Sequence, residues 1–127
     1  MDRVTERIAI ARRALATLQE ALREPETAMN RDACIQRFEY SFETAWKAAQ
    51  LCLAEREGLA LASPNGVIRA SYRVGLLTEA QGQDALAMSR DRNLTVHTYN
   101  EDLAAEIYRR LPAHAKLLDA WLAALAG

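Results

Sequence analysis

The chain has 127 residues, of which 50% are apolar and 26% are charged, and its formal net charge is −1. This length is enough for one domain with its own hydrophobic core, so we expect a single domain over residues 1–127 that needs no metal or disulfide for stability. The near-zero charge excludes a protein that coats nucleic acid by overall charge alone, although a local basic patch is compatible with it.

Apolar residues recur at helical spacing along the first half of the chain. In residues 2–24 they form a stripe opposite a charged face, which predicts a first helix. The stripe consists of Val4, Ile8, Ala11, Leu15, Leu18 and Leu22. The segment "PETAM" then interrupts the pattern, and either Thr27 or Asn30 can cap the next helix. Apolar residues in steps of three and four predict this second helix from about residue 30 to 57, and Gly58 ends it.

Capping residues mark the third and fourth helices. Ser63 can cap a short helix that has Pro64 at its first position, and this helix is predicted to end at Gly75. Thr78 is followed by Gln81 three residues later. That spacing is typical of a capping box, and it predicts the start of a fourth helix.

A fifth helix is predicted from Asn100, which two acidic residues follow at the end favoured by the helix dipole. It should continue to about residue 125, with a kink or restart at Pro112, because proline removes one backbone hydrogen bond. No segment has the alternation of a strand. We therefore predict an all-α fold, an up-and-down antiparallel bundle of four to five helices.

The two cysteines indicate a reducing compartment. Cys34 and Cys52 are eighteen residues apart, which on one continuous helix separates them by about 27 Å and excludes an intrachain disulfide. The sequence shows neither a signal peptide nor an apolar run long enough to span a bilayer. We expect a cytoplasmic protein that is not inserted in a membrane.

The stretch "RDRNLTVHTYN", residues 90–100, concentrates polar side chains in a chain with one other histidine, His114. Within it, Arg92, His97 and Tyr99 form an R-x4-H-x-Y motif. Arg92 and His97 differ by about 140° around an ideal helix, so a straight helix does not direct both to one small substrate. Either the helix unwinds before His97, or two copies of the protein supply the site across a two-fold interface.

The chemistry available to these residues is limited. His97 can transfer a proton near neutral pH, Arg92 can stabilise charge on a phosphate, and Asn93 can orient either group. No histidines or carboxylates have metal-ligand spacing, and there is no glycine-rich phosphate loop. What remains is acid–base chemistry on a phosphodiester without metal or cofactor, for which RNA is suited because its 2′-hydroxyl can be the nucleophile. The same residues also fit an ordinary solvated helix end, and spacing alone does not decide between the two.

Three segments in a fixed order carry a family resemblance: "IQRFEYSFETAWK", "SP…VIRASYRVGL" and "RNLTVHTYNEDLAAEIYRRL". They cover most of residues 30–111 and resemble the HEPN-domain proteins, in particular the HepT branch, also described as nucleotidyltransferase substrate-binding proteins. The resemblance implies a homodimeric helical bundle in which two R-x4-H motifs form a composite ribonuclease site. Arg92 and His97 would be its catalytic pair, with Asn93 as the polar residue after the arginine.

The resemblance also implies a partner. Such proteins are typically toxins that a minimal nucleotidyltransferase, MntA, neutralises by transferring AMP to the tyrosine of the motif, here Tyr99. A bulky anionic nucleotide two residues from His97 would fill the cleft and repel an RNA phosphate. An alternative description makes the helical protein a noncatalytic substrate-binding subunit of a two-component nucleotidyltransferase.

Basic residues outside the motif are candidates for RNA contacts. Arg69 and Arg73 are one turn apart and Arg90 lies beside the motif, so the three are predicted to extend a positive track for RNA, the alternative being an ordinary solvated surface.

Helix two also carries side chains whose roles the sequence alone does not decide. Tyr40 and Trp46 are compatible with a dimer or partner interface. Glu43 and Lys47 have the spacing of an ordinary ion pair on one helix face.

Overall fold

The computed structural model describes residues 2–127, and five α-helices make up most of them. They are α1 (Arg3–Leu22), α2 (Ala28–Glu57), α3 (Pro64–Arg73), α4 (Glu79–Leu94) and α5 (Glu101–Ala126), with a 3₁₀ turn at Thr95–His97 between α4 and α5. No strand occurs within residues 2–127. The predicted all-α bundle is confirmed.

Side-chain caps begin the helices where the sequence predicted them. Thr27, rather than Asn30, caps α2: its hydroxyl accepts a hydrogen bond from the Asn30 backbone N–H at 3.0 Å. The Asn30 side chain instead donates to the Ala21 carbonyl at 3.0 Å and so ties α2 to the end of α1. Thr78 forms the predicted capping box of α4 with Gln81, in which each side chain bonds the other residue's backbone N–H.

Two predicted helix features differ from the structure. The third helix ends at Arg73, two residues before Gly75, whose φ of +85° belongs to the turn that follows. The restart predicted at Pro112 is wrong, because α5 continues through this residue without interruption. Pro112 is exposed, whereas Leu111 and Leu118 are fully buried on the opposite side. Core packing on both sides of the proline therefore holds the helix together despite the missing hydrogen bond.

The long helices α1, α2 and α5 enclose the core, and the shorter α3 and α4 pack against one another and against α2 and α5. The largest fully buried side chains include Trp121, Phe38 and Phe42. The indole N–H of Trp121 donates to the Ser71 hydroxyl at 3.2 Å and links α5 to α3. This packing brings the C-terminal end of α4, which carries the R-x4-H-x-Y motif, between α2 and α5.

Both cysteines are free and buried in the core. Burial raises the pKa of the Cys34 and Cys52 thiols, which leaves them protonated and poorly reactive at neutral pH. No helix formed by residues 2–127 combines the length and the apolar character needed to cross a bilayer.

Candidate functional site

The R-x4-H-x-Y motif lies where α4 ends and the chain turns into α5. Helix α4 ends at Leu94, and the backbone tightens into the 3₁₀ turn Thr95–His97. The Asn100 backbone N–H then bonds the His97 carbonyl at 3.1 Å, and the Asn100 side chain caps α5. The helix therefore unwinds before His97, which is one of the two arrangements that the angle between Arg92 and His97 required.

Arg92 is held against the protein by contacts from two elements. Its side chain is only 23% exposed. Nη1 donates to the Thr95 hydroxyl at 3.1 Å, and that hydroxyl donates to the Arg92 carbonyl at 2.7 Å. Nε lies 3.2 Å from Oε1 of Glu43 on α2, but it is not aligned for a hydrogen bond. The guanidinium is thus placed by α2 on one side and by the 3₁₀ turn on the other.

Glu43 is the contact that sequence reasoning missed. Its Oε2 accepts a hydrogen bond from the Trp46 indole N–H at 3.1 Å, while Oε1 faces Arg92. The predicted pairing of Glu43 with Lys47 is wrong, because the carboxylate is directed toward α4 instead. Trp46 is 8% exposed and belongs to the core, which contradicts the interface role that the sequence left open for it. Helical periodicity indicates which face a residue occupies, and it does not indicate that α4 lies opposite Glu43.

His97 and Tyr99 form the exposed part of the motif. The Tyr99 hydroxyl lies 3.3 Å from Nδ1 of His97, and the two rings are nearly perpendicular with centroids 5.9 Å apart. Tyr99 is 83% exposed. A solvent-accessible hydroxyl therefore stands within hydrogen-bond distance of the imidazole.

No hydrogen bond joins Arg92 and His97 within one chain. The Arg92 guanidinium is bonded toward Thr95 and Glu43, whereas the His97 ring is bonded toward Tyr99. Asn93 is exposed on the last turn of α4. The structure brings the three residues to one end of the bundle, with the arginine largely covered and the other two facing solvent.

Comparison with known families identifies the chain. The family model described as "Nucleotidyltransferase substrate binding protein like" matches residues 6–127. The chain belongs to this family. The resemblance to the HEPN and HepT proteins that three sequence segments indicated is confirmed. No curated protein matches this family member.

Solved structures share the fold of this family member along nearly its whole length. A crystal structure of a Thermus thermophilus protein is 54% identical, covers 91% of this chain and 98% of its own, and superimposes with a TM-score of 0.87. A tri-AMPylated Shewanella oneidensis HEPN toxin in complex with its MNT antitoxin is 16% identical, with coverage of 99% and 98% and a TM-score of 0.78. A toxin–antitoxin structure with AMP-PNP is 13% identical, with coverage of 98% and 99% and a TM-score of 0.73. At 16% and 13% identity, the likeness concerns the fold alone.

The three arginines predicted to form an RNA track are all exposed in this family member. Arg69 and Arg73 lie on α3 and Arg90 lies on α4, and none of them forms an ion pair with a residue in the 2–127 range. The positive charge of these three arginines is therefore available to a polyanion. A cleft of about 320 Å³ adjoins Arg90 and is also lined by Asp91, Arg110 and His114.

An ionic network centred on the buried Asp91 lies beside the motif. Asp91 receives two hydrogen bonds from Arg110, at 2.8 and 2.9 Å, and one contact of 2.7 Å from Nε2 of His114. Burial alone would raise the pKa of Asp91, but the hydrogen bonds from Arg110 and His114 outweigh it and lower that pKa. The same hydrogen bond from Arg110 to Asp91 raises the pKa of Arg110. His114 stacks on Phe38 with ring centroids 5.3 Å apart.

The sequence signal for this network was the single histidine on the apolar face of helix five.

Within residues 2–127, no group of three or more histidine, cysteine or carboxylate side chains is arranged to hold a metal ion.

Proposed function

We propose that this family member is a metal-independent endoribonuclease toxin, controlled by a minimal nucleotidyltransferase antitoxin that transfers AMP to Tyr99. The observation that carries the proposal is the junction of α4 and α5, where a fixed Arg92 lies at the same end of the bundle as an exposed His97 and Tyr99. The fold shared with an AMPylated HEPN toxin bound to its antitoxin supports it.

The chemistry follows from the side chains at this junction. His97 takes the proton of an RNA 2′-hydroxyl, and the oxygen attacks the adjacent phosphorus. The 2′-oxygen–phosphorus bond forms as the bond to the 5′-oxygen breaks, leaving a 2′,3′-cyclic phosphate and a 5′-hydroxyl. Arg92 stabilises the charge that develops on the phosphate, and Asn93 orients the reacting groups. A water molecule protonates the departing 5′-oxygen, and the hydroxide that results takes up the proton held by the His97 imidazolium.

The same geometry supports the proposed control through Tyr99. Its exposed hydroxyl can attack the α-phosphate of ATP, which forms a tyrosyl–AMP bond and releases pyrophosphate. Because that hydroxyl lies 3.3 Å from Nδ1 of His97, the attached nucleotide places a negative phosphate and a bulky base beside the catalytic imidazole. Repulsion and occlusion would then keep an RNA phosphate away.

Two measurements on the purified protein test the proposal. We expect cleavage of single-stranded RNA in the presence of EDTA, and a loss of about 100-fold or more in His97→Ala, the range typical for removal of a general acid–base. After co-expression with a minimal nucleotidyltransferase, the intact mass should rise in steps of one AMP. Tyr99→Phe should abolish the mass shift, whereas Tyr40→Phe should keep it as the matched control.

The alternative function is a noncatalytic subunit that presents a substrate to a nucleotidyltransferase, and the family's own description favours it. It predicts no RNA cleavage and an unmodified chain in a stable complex with the partner. That result would contradict the proposed toxin, whereas cleavage together with Tyr99-dependent modification would contradict the alternative.

A further inference from the structure

We infer that Glu43 is a positioning residue for Arg92, so that α2 sets the orientation of the guanidinium that the proposed ribonuclease directs at phosphate. This inference rests on the proposed function and deepens it. Glu43 precedes Arg92 by 49 residues, and only the folded bundle brings them together.

The Glu43 carboxylate is itself fixed. Its Oε2 accepts the hydrogen bond of the Trp46 indole at 3.1 Å, and Trp46 is 8% exposed. An indole has few rotamers and is locked here by the core, so it holds the carboxylate in one orientation. The other oxygen, Oε1, is thereby directed at Nε of Arg92, 3.2 Å away.

The buried edge of the Arg92 guanidinium, which carries Nε, faces this carboxylate. Its Nε is inaccessible to solvent and has no aligned hydrogen-bond acceptor, and Glu43 is the anionic group beside it. On the other edge, Nη1 is bonded to Thr95, which is 4% exposed. A guanidinium has five N–H donors. The hydrogen bond to Thr95 uses one Nη1 donor, and the Nε donor is buried beside Glu43, which leaves Nη2 and the second hydrogen of Nη1 for a phosphate.

The contact is suited to positioning rather than to competition with substrate. A carboxylate that bound Arg92 in the bidentate, end-on manner would occupy both terminal nitrogens and exclude phosphate. Glu43 instead approaches Nε, the nitrogen nearest the side-chain stem. It can therefore remain in place while the outer nitrogens bind the reacting phosphate.

The test is a double-mutant cycle on cleavage of a short fluorescent single-stranded RNA, measured under single-turnover conditions and in the steady state. Glu43→Ala should lower kcat by about 10- to 100-fold, the cost of a small misplacement of a catalytic group, and should leave KM within about 3-fold. In the Arg92→Ala background the same substitution should have no further effect. Glu43→Asp should recover part of kcat, because it keeps a carboxylate on α2 facing Nε of Arg92.

Glu39→Gln provides the matched control, because Glu39 lies one turn earlier on α2 and forms no ion pair within residues 2–127. It should cleave like the parent. An equal loss from Glu43→Ala in the parent and in Arg92→Ala would overturn the inference and leave the proposed function standing. Faster cleavage by Glu43→Ala would also overturn it, since Glu43 would then restrain Arg92. If the parent and His97→Ala both fail to cleave RNA, the proposed function fails and the inference falls with it.

Discussion

Asp91 lies one residue before Arg92, and its buried carboxylate joins α4 to α5. The two hydrogen bonds from Arg110 and the contact with His114 satisfy both carboxylate oxygens, which is the condition for a charge to be tolerated in a core. Because the adjacent Arg92 shares the same helical turn, this network also fixes the end of α4 from which the motif projects.

The lowered pKa of Asp91 predicts how stability depends on pH. A carboxyl whose pKa is lower in the folded than in the unfolded state stabilises the fold at every pH above its ordinary pKa, which is 3.8 for Asp91. That contribution is lost as the pH falls through the folded-state pKa. We expect Asp91→Asn to reduce the free energy of unfolding at pH 7 by about 2 kcal/mol, below the usual cost of breaking a buried pair because Arg110 can regain water.

Urea unfolding of parent and Asp91→Asn between pH 7 and pH 2.5 tests this. The difference in free energy of unfolding between the two proteins should be constant down to about pH 4. It should shrink below that pH, because only the parent has an ion pair to lose. Asp84→Asn, an exposed carboxylate on the same helix, should follow the parent at every pH. A difference that stays constant down to pH 2.5 would mean that Asp91 does not titrate as a stabilising group.

At the scale of the elements, local signals and distant contacts differ in how well they can be predicted. The caps at Ser63, Thr78 and Asn100 were predicted because a cap needs only residues within one turn. The pairing of Glu43 with Arg92 was not predicted, since helical periodicity tells which face a residue occupies but not which helix lies opposite. For the same reason the motif was found as a pattern, while its support from α2 and α5 emerged only from the packing.

The packing of α3 against α4 depends on a close approach at Gly82. A Cβ at this position would lie 2.9 Å from Cγ of the Tyr72 ring and closer still to Cδ1. Gly82→Ala therefore forces the ring to move, at a cost of about 1–3 kcal/mol for overpacking, while alanine recovers up to about 1 kcal/mol of helix propensity. We expect a net loss of about 1 kcal/mol in the free energy of unfolding, measured by urea titration.

The partner substitution makes this prediction specific. In a Tyr72→Ala background the ring is gone, so Gly82→Ala should no longer destabilise and should raise the free energy of unfolding through helix propensity. If Gly82→Ala stabilises the parent protein as well, the contact between the two helices does not require glycine.

At the scale of the whole molecule, we propose that one chain carries only part of the site. No hydrogen bond joins Arg92 and His97, and the surface beside them exposes two large apolar side chains, Val96 at 67% and Tyr99 at 83%. Exposed apolar groups next to polar catalytic residues are typical of an interface that also forms a site. A two-fold dimer through this end of the bundle would bring the His97 of one chain toward the Arg92 of the other.

Mixing two inactive variants tests this composite site. As homodimers, Arg92→Ala and His97→Ala should each keep only a small residual rate of cleavage. Unfolded together and refolded, the two variants form about half heterodimers by random pairing, and each heterodimer keeps one intact arginine and one intact histidine on opposite chains. We expect cleavage to return to a substantial fraction of the parent rate, and light scattering should give twice the 14.2 kDa chain mass. If the mixture stays inactive while the parent dimer cleaves, both groups must act within one chain.

Val96→Glu tests the interface itself, because a charge buried there should separate the dimer while Arg92 and His97 stay intact. Light scattering should then give the mass of one chain, and cleavage should fall if the site needs both chains.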